Sequence, residues 1–307
     1  MSEEKGLENY SNDVASGHAD GAGRGMASNR RLMLKGSLAT MAALGTGMVS
    51  GLAKASMLDG AFNDIDILNF ALNLEYLEAN YYLLATTGHS LAANQTSGSG
   101  RLGDVDGGHM VPFKNDAVRQ FAEEIAGDEK SHVDFLRAAL GSSKVAQPEI
   151  NLKRSFQQLG QAAGLGNDFD PFESEDNFII GAYVFEDVGV TAYHGAAPYI
   201  QEKSYLDAAA GILAVEAYHA GIIRTLMYQL GFFTQAAAIS HLRQQLSMTK
   251  HKTDEGIILH GKANLVPANG NAIAFQRTPA EVLNIVYEGG QSADFGFFPK
   301  KVNGAIR

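Results

Sequence analysis

The chain has 307 residues, 45% of them hydrophobic, and a net charge of −10 from 34 acidic and 24 basic side chains, with no cysteine. That composition is sufficient for one or two domains with a sizeable core. The missing cysteines exclude disulfides, thiolate zinc sites, iron–sulfur clusters and c-type haem attachment, and the acidic balance argues against nucleic acid or an anionic membrane as partner.

The N-terminal stretch reads as an address. Ser28 to Lys35 (SNRRLMLK) places Arg30 and Arg31 side by side, then runs through a mildly apolar segment to Val49 and closes with Ala53-Lys54-Ala55. This resembles a twin-arginine export signal cleaved before Ser56. The apolar run is too short and too rich in Gly, Ser and Thr to remain as a permanent anchor. Residues 1–55 are therefore expected to be removed, leaving a soluble periplasmic or secreted protein with no membrane contact. Loss of their six basic and five acidic side chains takes the net charge from −10 to −11.

Residues 56–250 read as helices. The first is expected from an N-cap at Asn63 to Thr87, ended by Gly88. A Gly/Ser/Asn-rich loop, His89 to Pro112, follows; within it Asp104 to Gly107 lacks the late glutamate of a calcium loop and reads as a solvated turn. Asp116 to Leu140 forms the second helix. A long crossover, Gly141 to Phe169, carries the chain back and includes a short helix from Leu152 to Ala163. Asp170-Pro171-Phe172-Glu173 is expected to start the third helix, which stops before Pro198. Ser204 is expected to cap the fourth and Thr234 a fifth running to Met248. Residues 251–307 are loop-rich, with a short helix from Thr278 to Glu288. They hold too few apolar periods for a core of their own and are expected to wrap the bundle.

Helical spacing exposes an anomaly in the four long helices. Their core stripes are apolar except near mid-length, where the first carries Glu75, the second Glu129 and His132, the third Glu186 and the fourth Glu216 and His219. Either Glu-x-x-His pair alone would be explained by a salt bridge or a satisfied core histidine. The order Glu, Glu-x-x-His, Glu, Glu-x-x-His across four helices is the ligand set of a dinuclear site inside a four-helix bundle. Glu78, about 60° from Glu75 on the helix wheel, reads as a surface glutamate, and Asp128 and Glu124 are expected to face solvent. Tyr82 stands as a supporting group beside the ligands, with Tyr193 and Tyr218 as further donors of hydrogen bonds or electrons; His194, two turns after Glu186, reads either as an extra ligand or supporting donor or as a packed or capping histidine near Pro198.

These segments (LEYLEANYYLL, EEIAGDEKSHVDFL, YVFEDVGVTAYHGAA, VEAYHAGIIRTLM) resemble the ferritin-like superfamily, and VTAYHGAAPYI with RTPAEVLNIVYEGG is similar to its exported, desiccation-related branch. The resemblance implies an all-α fold, a four-helix bundle with a long helix 2–3 crossover, a fifth helix and a wrapping tail. It also implies Glu75 and His132 on one metal, Glu186 and His219 on the other, and Glu129 and Glu216 as bridges. The long loop and tail depart from cage-forming ferritins and argue against bulk iron storage.

Four carboxylates meeting at low dielectric repel by several kcal/mol per close pair. Two divalent ions would bring +4 against −4, and oxygen-rich ligation with one imidazole each suits Fe or Mn. The expectation is a di-metal oxidoreductase, ferroxidase- or catalase-like, acting on peroxide, O₂ or ferrous iron, with a homodimer admissible. A structural stress protein and a metal-binding module without turnover stand beside it, since ligand sets are shared between reactive and structural sites.

Overall fold

The structure, a computed structural model, describes residues 62–289 and 296–307; the segment read as an export signal lies outside them. These residues fall in one compact unit running from Ala55 to Arg307. Its first helix, α1 (Asp64–Thr87), starts at a capping box in which Asn63 and Asp66 exchange hydrogen bonds at 3.1 Å, and ends at Gly88, whose φ of +73° suits only glycine well. A four-residue turn, α2 (Ala93–Thr96), and strand β1 (Val105–Asp106) lead to α3 (Asp116–Leu140). Helix α3 runs antiparallel to α1. Val111 donates to Ala85 O at one end of the pair, and Asn69 donates to Ser143 O at the other.

The crossover holds strand β2 (Ile150–Asn151) and α4 (Leu152–Ala162) before the second long pair, α5 (Glu175–Ala196) and α6 (Lys203–Gln229). Helix α5 packs on α1 and α6 on α3, which closes an all-α four-helix bundle. A fifth helix, α7 (Phe233–Leu246), a small hairpin of β3 (Ile258–Leu259) and β4 (Lys262–Ala263), and α8 (Pro279–Val286) complete the described elements. Helix α6 is long and apolar enough to cross a membrane by length and composition. Its core face nevertheless carries Glu216, His219 and Arg224, all buried.

Three expected starts move. Helix α5 begins behind Ser174, whose Oγ accepts from Asn177 N, and not at Asp170. Asp170 instead accepts from Phe172 N in a tight turn, which lets Phe172 pack 5.3 Å from the Tyr81 ring. Glu202, not Ser204, caps α6, and Asp64 holds the backbone N–H groups of Gln201 and Glu202 there. Helix α7 begins at Phe233 without a side-chain cap, just past Gly231 at φ +76°. Nor is the Asp104–Gly107 stretch a free turn: Val105 and Asp106 pair in parallel with Ile150 and Asn151, and Asp106 accepts from Asn151 Nδ2.

Eighteen of the 24 residues of α1 are buried, so its outer face is covered as well as its core face. The cover is the 89–112 loop, the crossover and the C-terminal segment. Asn69 accepts from Val145 N, Asn80 accepts from Leu91 N and donates to Gln147, and Asn73 donates to Asn303 O. Side-chain amides thus satisfy loop backbone that would otherwise be buried unpaired.

Candidate metal centre

The structure brings the six ligand-type residues expected from sequence into one place in the core. Glu75, Glu129 and Glu216 have no exposure, and Glu186, His219 and His132 are buried beside them. Around His132 Nδ1 lie Glu75 Oε2 at 3.2 Å, Glu129 Oε2 at 3.6 Å and Glu216 Oε1 at 3.9 Å. Around His219 Nδ1 lie Glu129 Oε1 at 3.0 Å and Glu186 Oε2 at 3.7 Å. Two groups of atoms are close enough to share an ion, Glu75–Glu129–His132–Glu216 and Glu129–Glu186–His219. Glu129 belongs to both, one oxygen to each, as a bridge would. Glu216 falls within reach of the first group only.

The donor set fits metal ions on a specific ground. Eight atoms of these six residues are fully buried without a hydrogen-bond partner: Glu75 Oε2, both oxygens of Glu129 and Glu216, Glu186 Oε2, and Nδ1 of His132 and His219. Unpaired polar atoms in a core each cost a desolvation penalty of about 1–3 kcal/mol. Two shared cations would satisfy the atoms gathered in the two groups and offset the carboxylate charge, while Glu216 Oε2 lies against Gly189.

Without cations the charges redistribute. Burial, and then the Glu129 charge, pushes Glu75 up to about 7. Burial pushes Glu186 up to about 8 and Glu216 well above the carboxylate range. Burial alone would raise Glu129 too, but the His132 and His219 imidazoles beside it, 3.6 and 3.0 Å away, outweigh that and hold Glu129 at about 2. The imidazoles rise correspondingly against their own burial, His132 to about 11 and His219 to about 9.

The supporting groups follow a reciprocal pattern. Tyr82, seven residues after Glu75, donates to Glu186; Tyr193, seven residues after Glu186, donates to Glu75. Each tyrosine spares one lone pair of a glutamate from the cluster and leaves the other oxygen facing inward. Glu-x₆-Tyr in both unpaired-glutamate helices was the available signal for Tyr193. Asp128, half exposed and not simply solvated, lies 3.1 Å from Nε2 of His219. Donation of Nε2–H to it leaves the Nδ1 lone pair toward the cluster. Two of the supporting readings fail. His194 is turned away from the site toward Phe275 O, 3.1 Å from its Nδ1, because its helix face packs under the C-terminal segment. Tyr218 is 73% exposed. Glu78 is buried, not a surface residue, since the covered face of α1 includes it; burial and the charges of Glu129, Glu75 and Glu186 push it well above the usual range.

Residues 63–229 match the family model described as a ferritin-like domain. A ferritin-like catalase, Nec2, from Nesocodon mauritianus is 30% identical over 271 residues, 79% of this chain and 84% of that protein. The desiccation-related protein PCC13-62 from Craterostigma plantagineum is 30% identical over 247 residues, 72% and 76% of the two chains. No solved structure matches.

Proposed function

The chain belongs to the ferritin-like domain family, in the branch with the desiccation-related proteins, and from that premise we propose an exported di-metal carboxylate protein that disproportionates hydrogen peroxide. The observation carrying this reading is the gathering of six buried residues with unpartnered polar atoms into two ion-sized groups that share Glu129. Glu75 and His132 would hold one divalent ion, Glu186 and His219 the other, with Glu129 spanning both; the oxygen-rich set favours Fe or Mn. When bound, such a pair would relay the two electrons that pass from one H₂O₂ to the other as they become O₂ and two H₂O. The chain's own part is orientation and exclusion of water. Tyr82 and Tyr193 fix the outer oxygens of Glu186 and Glu75, Asp128 fixes the His219 tautomer, and the apolar stripes above and below keep the centre dry. The relative named a ferritin-like catalase favours peroxide over ferrous iron as substrate.

Elemental analysis and an oxygen electrode test the reading. Full-length protein should carry about two Fe or Mn per chain and evolve O₂ from peroxide, while Glu129→Gln should lose most metal and slow O₂ evolution by roughly 10²-fold or more. Ferrous oxidation without O₂ release from peroxide would move the assignment to iron handling. Bound metal with neither activity would favour a structural stress role, the reading the desiccation-related relative supports.

Export is part of the same proposal, supported by Arg30-Arg31 and Ala53-Lys54-Ala55. Replacing both arginines with lysine should retain the precursor in the cytoplasm, and the exported wild type should begin near Ser56. N-terminal sequencing of fractionated cells reads both, and normal export of the Lys-Lys variant rules the twin-arginine route out.

A further inference from the structure

The site has a pseudo-repeat. Glu75-x₆-Tyr82 on α1 and Glu186-x₆-Tyr193 on α5 play matching parts, so Glu78 and Gly189, each three residues after its glutamate, are counterparts. The repeat breaks at this position. A Cβ on Gly189 would lie 2.1 Å from Glu216 Oε2 and 3.4 Å from Glu78 Oε1, so two carboxylates press on one bare stretch of backbone. No side chain could stand there without moving Glu216. On the same side of α5 an apolar pocket reaches Gly189 and Glu78 between Leu74, Leu77, Val188 and Ile285. Its free space, about 20 Å³, admits one molecule of roughly the size of water. Among the five glutamates at the cluster Glu78 is the most exposed, 6% against 0–1% for the other four. The pocket meets Glu78 and Gly189 on the α1–α5–α8 face, and its wall is hydrocarbon apart from that one carboxyl.

We propose that this pocket is the entry by which a small uncharged oxidant, hydrogen peroxide or O₂, reaches the cluster, with Gly189 as its aperture and Ile285 as its outer wall. The assignment rests on the cluster holding reactive metals. Hydrocarbon walls penalise an ion, which must shed its hydration shell, far more than a neutral molecule. The narrow space excludes bulkier hydroperoxides. Helix α8 belongs to the C-terminal segment, so that segment shapes the substrate and does more than cover the bundle.

Gly189→Ala is a poor test, because the new Cβ would displace Glu216. Ile285 lies on α8, which carries none of the six ligand-type residues, and it serves better. In metal-free full-length protein, dissolved O₂ under pressure should enhance the NMR relaxation of the Leu77, Val188 and Ile285 methyl groups. Ile285→Phe should abolish the effect at Leu77 and Val188. In metal-loaded protein Ile285→Phe should lower kcat/KM for hydrogen peroxide about tenfold at unchanged metal content. Ile285→Ala should raise the rate with tert-butyl hydroperoxide relative to hydrogen peroxide several-fold; it carries the kinetic arm should the phenylalanine variant not fold. Wild-type methyl groups untouched by O₂, or variants with wild-type rates and selectivity, would overturn the proposal and send the substrate along the α3–α6 seam beside Asp128. Loss of all turnover in loaded wild type would sink the catalytic reading, and the O₂ relaxation in metal-free protein then decides the pocket by itself.

Discussion

Asp254→Ala is expected to destabilise the fold by about 3–5 kcal/mol, as removal of one partner from a buried ion pair does. Asp254 accepts from Arg243 Nη2 at 2.8 Å and from Arg277 Nη2 at 2.7 Å, and all three side chains are buried. Arg243 also pairs with Asp187 at 2.7 Å, and Arg224 with the same oxygen at 2.6 Å. Three guanidinium groups and two carboxylates thus form one buried network tying the C-terminal segment to α5, α6 and α7. Burial holds the Arg277 guanidinium below its ordinary range, against the pull of Asp254. Without Asp254, Arg277 keeps only the hydroxyls of Ser247 and Thr191, and its charge has no direct counter-ion. Urea unfolding should show the loss directly. Replacing the pair with apolar residues, Asp254→Leu with Arg277→Met, should cost less than Asp254→Ala alone, because no buried charge is stranded. Equal losses would mean that the ions contribute through shape and not through charge.

The same network marks the boundary of what the sequence could say. Helix periodicity placed α1 and α3, and for α1 the caps Asn63 and Gly88 fixed both ends, because they act within a few positions of the helix they bound. The six ligand-type residues were legible for a related reason: each is a polar interruption of an apolar stripe, and four stripes were interrupted alike. Asp187, Arg224, Arg243, Asp254 and Arg277 carry no such signature. Their partners lie 11 to 56 residues apart, and each alone reads as an ordinary charged side chain. Glu78 misled for a related cause. The helix wheel placed it off the core stripe, but the wheel does not register the loop and C-terminal cover on the outer face of α1. For His194 the spacing from Glu186 left a supporting and a packed reading open, and its side chain packs toward Phe275.

Metal should stabilise the protein by an amount that grows with pH. At a thousandfold excess over Kd, binding to the folded state alone adds about 4 kcal/mol, which for a chain of this size raises the thermal midpoint by roughly 10 °C. The sign of the pH dependence follows from the metal-free cluster. Glu75 and Glu186 rise from 4.5 to about 7 and about 8, so the folded state keeps protons that the unfolded chain has released. Stability from these groups is complete below pH 4.5 and is lost as pH climbs through 7 and 8. His132 and His219, raised from 6.5 to about 11 and about 9, extend the loss to higher pH. Glu129, lowered from 4.5 to about 2, acts oppositely, but its contribution is already complete above pH 4.5. The metal-loaded protein has no such decline, because its ligands bind as carboxylate and neutral imidazole and binding strengthens as protons leave. The gap between loaded and chelated midpoints, measured by calorimetry, should therefore widen steadily from pH 5 to pH 8. Glu129→Leu with Glu216→Leu removes two of the crowded carboxylates and fills their space with hydrocarbon. That variant should lose metal, match or exceed the midpoint of chelated wild type, and show a flatter pH profile. A wild-type gap that does not change with pH would mean that chelation empties nothing in this core, and that the carboxylates there persist as hydrogen-bonded acids instead of ligands.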